Sequence, residues 1–258
     1  MMMKTIPTVL MALAFAGSSS AKSLPESPDK IQDPYADLVE GKWVHQKEPV
    51  KPGSLPFWFY ADKKRARGKE YPLVIVLHGR RSKAKEDEVF KVQGIATTWT
   101  KEKFYKKNPC FVVQPYYPPK GGWEKIPKQI DEFIEELVTH LPVDQKRIYL
   151  VGFSNGGQGT FQTLARQPDW FAGAVTLSGP VSPKSVVGKI KAPVWAWVGE
   201  NDTPLNKNVR LPALVRQLQD VDKRVKLNIV PNAGHACINQ SIANPKVQEW
   251  LFDQKLPD

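Results

Sequence analysis

Cysteine is scarce: Cys110 and Cys237 are the only two among 258 residues. A disulfide-stapled scaffold is excluded, because such folds draw their stability from several bridges. Long apolar runs are missing too. Beyond residue 21 no stretch approaches the roughly 20 apolar residues of a membrane-spanning helix, so no membrane insertion is expected. The chain has no G-x-G-x-x-G turn and no glycine loop closed by Lys-Ser/Thr, and hence no phosphate cradle. No cofactor and no metal are expected. Acidic residues are outnumbered, 26 Asp and Glu against 37 Lys and Arg, for a formal charge of +11. That surplus attracts anionic partners at long range. It comes without an aromatic-interleaved basic module, so nucleic acid is not an expected partner.

What is present points to one sizeable domain, since 258 residues at 41% apolar content can bury a single large core. Residues 1–21 carry one charge, Lys4, then an apolar run over 6–16 and the small residues Ser19, Ser20 and Ala21. This is the pattern of a secretory signal peptide cleaved after Ala21, and the expected destination is secreted or periplasmic. Cleavage would remove only Lys4 from the balance, taking +11 to +10. Residues 22–42, rich in proline, serine and charge and without periodicity, read as a flexible leader. Residues 43–258 remain for the fold.

Short apolar and β-branched runs predict strands at 43–45, 55–60, 73–77, 110–113, 148–151, 174–177, 194–198 and 225–230. Residues 73–77 are apolar throughout, as in a central strand covered on both faces. In the last run Val225, Leu227 and Ile229 alternate with polar residues. Helical spacing predicts helices near 95–105, over 126–141, after Ser154, over 211–218 and from Asn244-Pro245 onward. Residues 61–70, dense in Lys and Arg, read as an exposed hairpin loop. Strands that alternate with helices imply a mainly parallel sheet flanked by helices on both faces.

Residues 147–167 organise the chain. A buried strand runs into Gly152-Phe153-Ser154-Asn155-Gly156-Gly157 and leaves as a helix whose apolar face carries Phe161, Leu164 and Ala165. The turn is of the G-x-S-x-G kind, which presents the serine oxygen at a sharp elbow. A glycine turn of structural use alone is the plain alternative. Reactive groups in a parallel sheet gather beyond the carboxyl ends of the strands. Two acids follow the strand at 194–198, Glu200 and Asp202, and both compete for the role of acid. His235 follows the last strand in Pro231-Asn232-Ala233-Gly234-His235, whereas His45, His78 and His140 are less well placed. The order serine, acid, histidine suits a nucleophile, an orienting carboxylate and a general base.

The segments LVIVLHGRRS, KRIYLVGFSNGGQGTF, PVWAWVGENDTPL and IVPNAGHACI resemble the α/β-hydrolase superfamily. Within it they are most similar to secreted esterases of the polyhydroxybutyrate-depolymerase and feruloyl-esterase-like kind, and to phospholipase/carboxylesterase and prolyl-oligopeptidase-like hydrolases. The resemblance implies the α/β-hydrolase fold with no large lid domain. It also implies Ser154 as nucleophile, Asp202 as acid, His235 as base, and the backbone N–H groups of Arg80 and Asn155 as oxyanion hole. His78 would organise its loop. The implied activity is hydrolysis of a carboxylic ester, small or polymer-linked, through an acyl-enzyme. A serine peptidase or amidase for small peptides, and a noncatalytic binding module, are the alternatives. Where the family commonly has a small residue after the His-Gly pair, this chain has Arg80 and Arg81. They suggest an anionic ester, with Arg81, Tyr116 and Trp123 as expected substrate contacts. The cysteines should be unpaired, because Cys110 opens one strand and Cys237 follows another, and opposite edges of a five-residue strand lie roughly 15 Å apart.

Overall fold

The computed structural model describes residues 22–51, 54–62, 69–80, 90, 94–117, 121–179, 181–202 and 211–257. Residues 1–21, expected as a signal peptide, most of the expected basic loop at 61–70 and Arg81 fall outside those residues. The strands are β1 (Val44–Gln46), β2 (Phe57–Tyr60), β3 (Tyr71–Leu77), β4 (Phe111–Pro115), β5 (Val143–Phe153), β6 (Gly173–Leu177), β7 (Val194–Gly199) and β8 (Lys226–Val230). They form one sheet of eight in the order β1-β2-β4-β3-β5-β6-β7-β8. The β1, β2 and β4 pairings are antiparallel, and every pairing from β4 through β8 is parallel. The α-helices are α1 (Glu102–Tyr105), α2 (Pro127–His140), α3 (Asn155–Arg166), α4 (Pro183–Val186), α5 (Leu211–Val221) and α6 (Pro245–Phe252). This is the α/β-hydrolase architecture.

The pleat divides the interior in two. Leu73, Ile75 and Leu77 of β3 enter one core with Ile130 and Phe133 of α2, Phe161 of α3 and Leu214 of α5. Val74 and Val76 enter the other, with Phe104 of α1 and Val247 and Leu251 of α6. Successive strand residues point to opposite faces, so a strand buried on both sides must be apolar at every position, as β3 is. Burial of one such side chain contributes about 1.5–3 kcal/mol.

Two expectations are corrected. Residues 22–42 are not a free leader but lie against the body of the fold. The Trp170 Nε1–H donates to Lys22 O, Ser27 Oγ–H to Val143 O at 3.1 Å and Gln32 N–H to His140 O at 2.8 Å. Tyr35 is fully buried and stacks on Phe57 at 5.6 Å. The segment near 95–105 is not one helix: a 3-10 turn (Ala96–Thr100) and α1 are separated by extended Lys101, φ −60° and ψ 131°. Here the hydroxyls of Thr97, Thr98 and Thr100 donate to carbonyls three residues back, at 2.8, 2.7 and 3.2 Å, and so compete with helix continuation. In β8 the alternation does not bury every apolar residue, because the strand forms an edge and Ile229 stays 49% exposed. Both cysteines are buried and free, as expected.

Candidate active site

β5 ends at Phe153 and α3 begins at Asn155, so Ser154 alone makes the turn, with φ 54° and ψ −115°. A side chain rarely accepts positive φ without surrounding support. Two glycines provide it. A Cβ on Gly156 would run into the Leu77 carbonyl at the end of β3, and one on Gly152 into Gly156 O. Ser154 N–H donates to Leu177 O on β6 at 2.8 Å, which fixes the elbow to the neighbouring strand.

Asp202 lies just beyond β7, is 1% exposed and donates its N–H to Gly199 O at 3.0 Å. Gly199 has no room for a side chain, because its Cβ would collide with the carbonyls of Ala233 and Gly234. That close approach draws the loop after β8 toward the end of β7. His235 Nδ1 thereby reaches Asp202 Oδ1 at 2.9 Å and Oδ2 at 3.0 Å, while Nε2 lies 2.8 Å from Ser154 Oγ. A carboxylate only accepts, so Nδ1 carries the proton and Nε2 accepts from the serine hydroxyl. Glu200, the rival acid, accepts from Asn232 N–H at 2.9 Å and shapes the loop instead. Of the two acids after β7, Asp202 is the one on the imidazole.

The loop after β3 completes the edge. Leu77 pairs with Gly152, so His78, Gly79 and Arg80 emerge beside the elbow. A Cβ on Gly79 would sit 2.9 Å from the Phe153 ring. Asn155 N–H opens α3, where the first N–H groups of a helix have no acceptor within it. Arg80, after β3, and Asn155, at the start of α3, thus lie at one edge of the sheet. His78 is 5% exposed, and burial pushes its imidazole down to about 4. Its Nε2 accepts from Tyr117 N–H at 3.2 Å, which leaves a protonated Nδ1 to donate to Gly79 O at 2.9 Å. Both nitrogens are occupied by backbone, so this histidine organises the loop.

The dienelactone hydrolase family model matches residues 120–250, about half of the chain. The chain belongs to the dienelactone hydrolase family. This family member is 28% identical over 147 residues to NocK, a candidate esterase of Nocardia uniformis subsp. tsuyamanensis, covering 51% of this chain and 40% of that one. It is 31% identical over 101 residues to a bifunctional acetylxylan esterase/xylanase of Neocallimastix patriciarum, covering 34% and 14%. The chain spans less than half the length of the curated relatives it matches. Among solved structures, a thermostable esterase superposes with TM-score 0.72 at 25% identity, over 83% of this chain and 63% of that one. The S-formylglutathione hydrolase FrmB of Staphylococcus aureus superposes with TM-score 0.61 at 15% identity, over 82% and 99%. The family match and these superpositions agree on the α/β-hydrolase fold.

In this dienelactone hydrolase relative the expected substrate contacts fare unevenly. Trp123 is corrected: it is 1% exposed, its Nε1–H donates to His78 O at 2.8 Å, and its ring meets His78 edge-on at 5.0 Å. It is wedged between the loop and α3, out of a substrate's reach. Tyr116 is half-buried and stacks on His78 at 5.5 Å. Arg81 lies outside the described residues. Sequence reasoning missed Ser178, which also has positive φ (54°) and donates its Oγ–H to His235 O at 2.9 Å. It follows β6 on the carboxyl edge, so the rule that located Asp202 and His235 could have found it. The Asn155 side chain was missed as well: its Oδ1 accepts from Trp123 N–H at 3.2 Å and ties the 3-10 turn (Trp123–Lys125) to the elbow.

Proposed function

We propose that the protein is a serine hydrolase that cleaves carboxylic esters through an acyl-enzyme. The observation that carries this reading is the unbroken relay of 2.8 Å from Ser154 Oγ to His235 Nε2 and 2.9 Å from Nδ1 to the buried Asp202 carboxylate. In the forward step His235 takes the Ser154 proton as the oxygen attacks the ester carbonyl. Asp202 holds the tautomer and stabilises the imidazolium that forms. The negative oxygen of the tetrahedral intermediate is received by the N–H groups of Asn155 and Arg80. His235 then protonates the leaving alcohol, and the same histidine activates the water that frees the acid. One oxyanion donor is worth roughly a hundred to a thousandfold in rate.

Arg80 is exposed at this edge and has no ion-pair partner among the described residues. It favours an ester that carries an anionic group, attached to a small alcohol or to a polymer. Residues 1–21 are proposed to direct the protein out of the cytoplasm, to the periplasm or beyond. The test is a panel of short-chain, aromatic and sugar esters beside aminoacyl anilides, assayed with the parent and Ser154→Ala. Ester turnover by the parent that disappears in the variant is expected. Cleavage of anilides alone would move the activity to the peptidases, and equal ester turnover by the variant would remove Ser154 from the mechanism.

A further inference from the structure

A concavity with a volume of about 210 Å³ lies between α1 and α6. It is lined by Lys101, Lys103, Phe104 and Lys107 on one wall and by Pro245 and Glu249 among others on the opposite wall. Lys107 comes shortly before β4, toward the amino edge of the sheet, whereas Ser154 lies at the carboxyl edge. The ester site and this groove are therefore separate places.

The charge of the lining is unbalanced. Lys106, on the same turn, pairs with Glu102. Lys101, Lys103 and Lys107 have no ion-pair partner among the described residues, and Glu249 is the lone acid on the lining. Lys103 lies in α1, which ends at Tyr105, and Lys107 lies in the turn that follows, its N–H donating to Phe104 O at 3.1 Å. Both lysines line the groove, and like charges on one lining repel, so an anion held between them is favoured. The lining also offers apolar surface, from the largely buried Phe104 on one wall and from Ala243 and Pro245 on the other. A volume of about 210 Å³ is below the roughly 300–1,000 Å³ of pockets that take drug-sized ligands, which limits the occupant to a small molecule.

We propose that this groove binds a small amphipathic carboxylate, with the carboxylate between Lys103 and Lys107 and the apolar body on Phe104 and Pro245. The inference does not depend on the ester chemistry proposed for Ser154.

The test is calorimetric titration with 3-phenylpropanoate and, as a neutral match, 3-phenylpropanamide. The parent is expected to bind one equivalent of the acid at least about tenfold more tightly than the amide, as charge-assisted bonds imply. Lys103→Gln/Lys107→Gln should lose that tenfold preference. Glu249→Gln, which removes the opposing charge, should tighten the acid by about two- to fivefold. Thermal unfolding of each variant confirms that it is folded. Equal affinity for acid and amide, an unchanged preference in the double variant, weaker acid binding by Glu249→Gln, or no heat with either probe would each overturn the proposal.

Discussion

Two carboxylates are buried to the same depth in this protein and do different work. Asp202 and Glu136 are each 1% exposed, and each is held by hydrogen bonds. Asp202 receives the Nδ1–H of His235, whose other nitrogen is on Ser154. Glu136 receives the hydroxyls of Tyr35 at 3.0 Å and Ser54 at 2.7 Å, with Lys51 at 3.8 Å on the solvent side. Burial and satisfied bonds are therefore no sign of chemistry by themselves. What matters is whether the partner can pass the interaction on: an imidazole has a second nitrogen with which to take a proton, whereas two hydroxyls donate and end the chain. Glu136 anchors residues 35 and 54 to α2, whereas Asp202 holds the imidazole that the proposed mechanism uses as its base.

The largest expected effect is on Asp202. Asp202→Asn should lower kcat by about 10⁴-fold, because the amide favours the wrong imidazole tautomer, while the fold persists in circular dichroism and thermal unfolding. Glu136→Ala should do the reverse. It leaves two buried hydroxyls without an acceptor, a loss of about 2–4 kcal/mol, read as a lower thermal midpoint with kcat per folded molecule unchanged. If Asp202→Asn unfolded the protein and Glu136→Ala abolished turnover, the contrast between the two acids would be reversed.

The two histidines at the active edge sharpen the same contrast. His235 links two side chains, but His78 is locked between backbone groups and burial holds its pKa down at about 4. A base depressed in the folded state contributes stability that is complete above its unfolded value near 6.5. That stability is lost as pH falls toward 4, because the unfolded chain takes up the proton first. The contribution is about 3 kcal/mol, and urea unfolding at pH 7 and pH 4.5 measures it. His78→Gln should flatten that pH dependence; an identical slope in parent and variant would assign it to other groups. The smallest expected effect is none: both cysteines are buried and free, and burial raises both thiols. A thiol reagent should label neither until the chain unfolds, and a reductant should leave the thermal midpoint unmoved.

Much of this was legible because strand signals in a doubly covered sheet are strong. A run such as 73–77 can satisfy its backbone and bury every side chain in few other ways. The elbow was legible for a related reason, since Gly152 and Gly156 are demanded by contacts with Leu77 and with each other. What escaped depends on the tertiary environment of residues that look polar or irregular. The segment 22–42 has no periodicity, yet Tyr35 fits against Phe57 and reaches Glu136, 101 residues away. Trp123 sits in an aromatic loop near the site and resembles a substrate contact. Its burial and its bond to the His78 carbonyl show that it faces inward. Local threonine hydroxyls broke the helix near residue 100, a competition that apolar spacing does not register.

In the proposed mechanism Ser154 is a nucleophile activated through His235. The most direct measurement of this is intact-mass spectrometry after exposure to a fluorophosphonate, followed by peptide mapping. The parent should gain one adduct, on Ser154, and His235→Ala should gain it far more slowly. Ser154→Ala should remain unmodified. Labelling of Ser154→Ala at the parent's rate, or an adduct mapped to another residue, would contradict the claim.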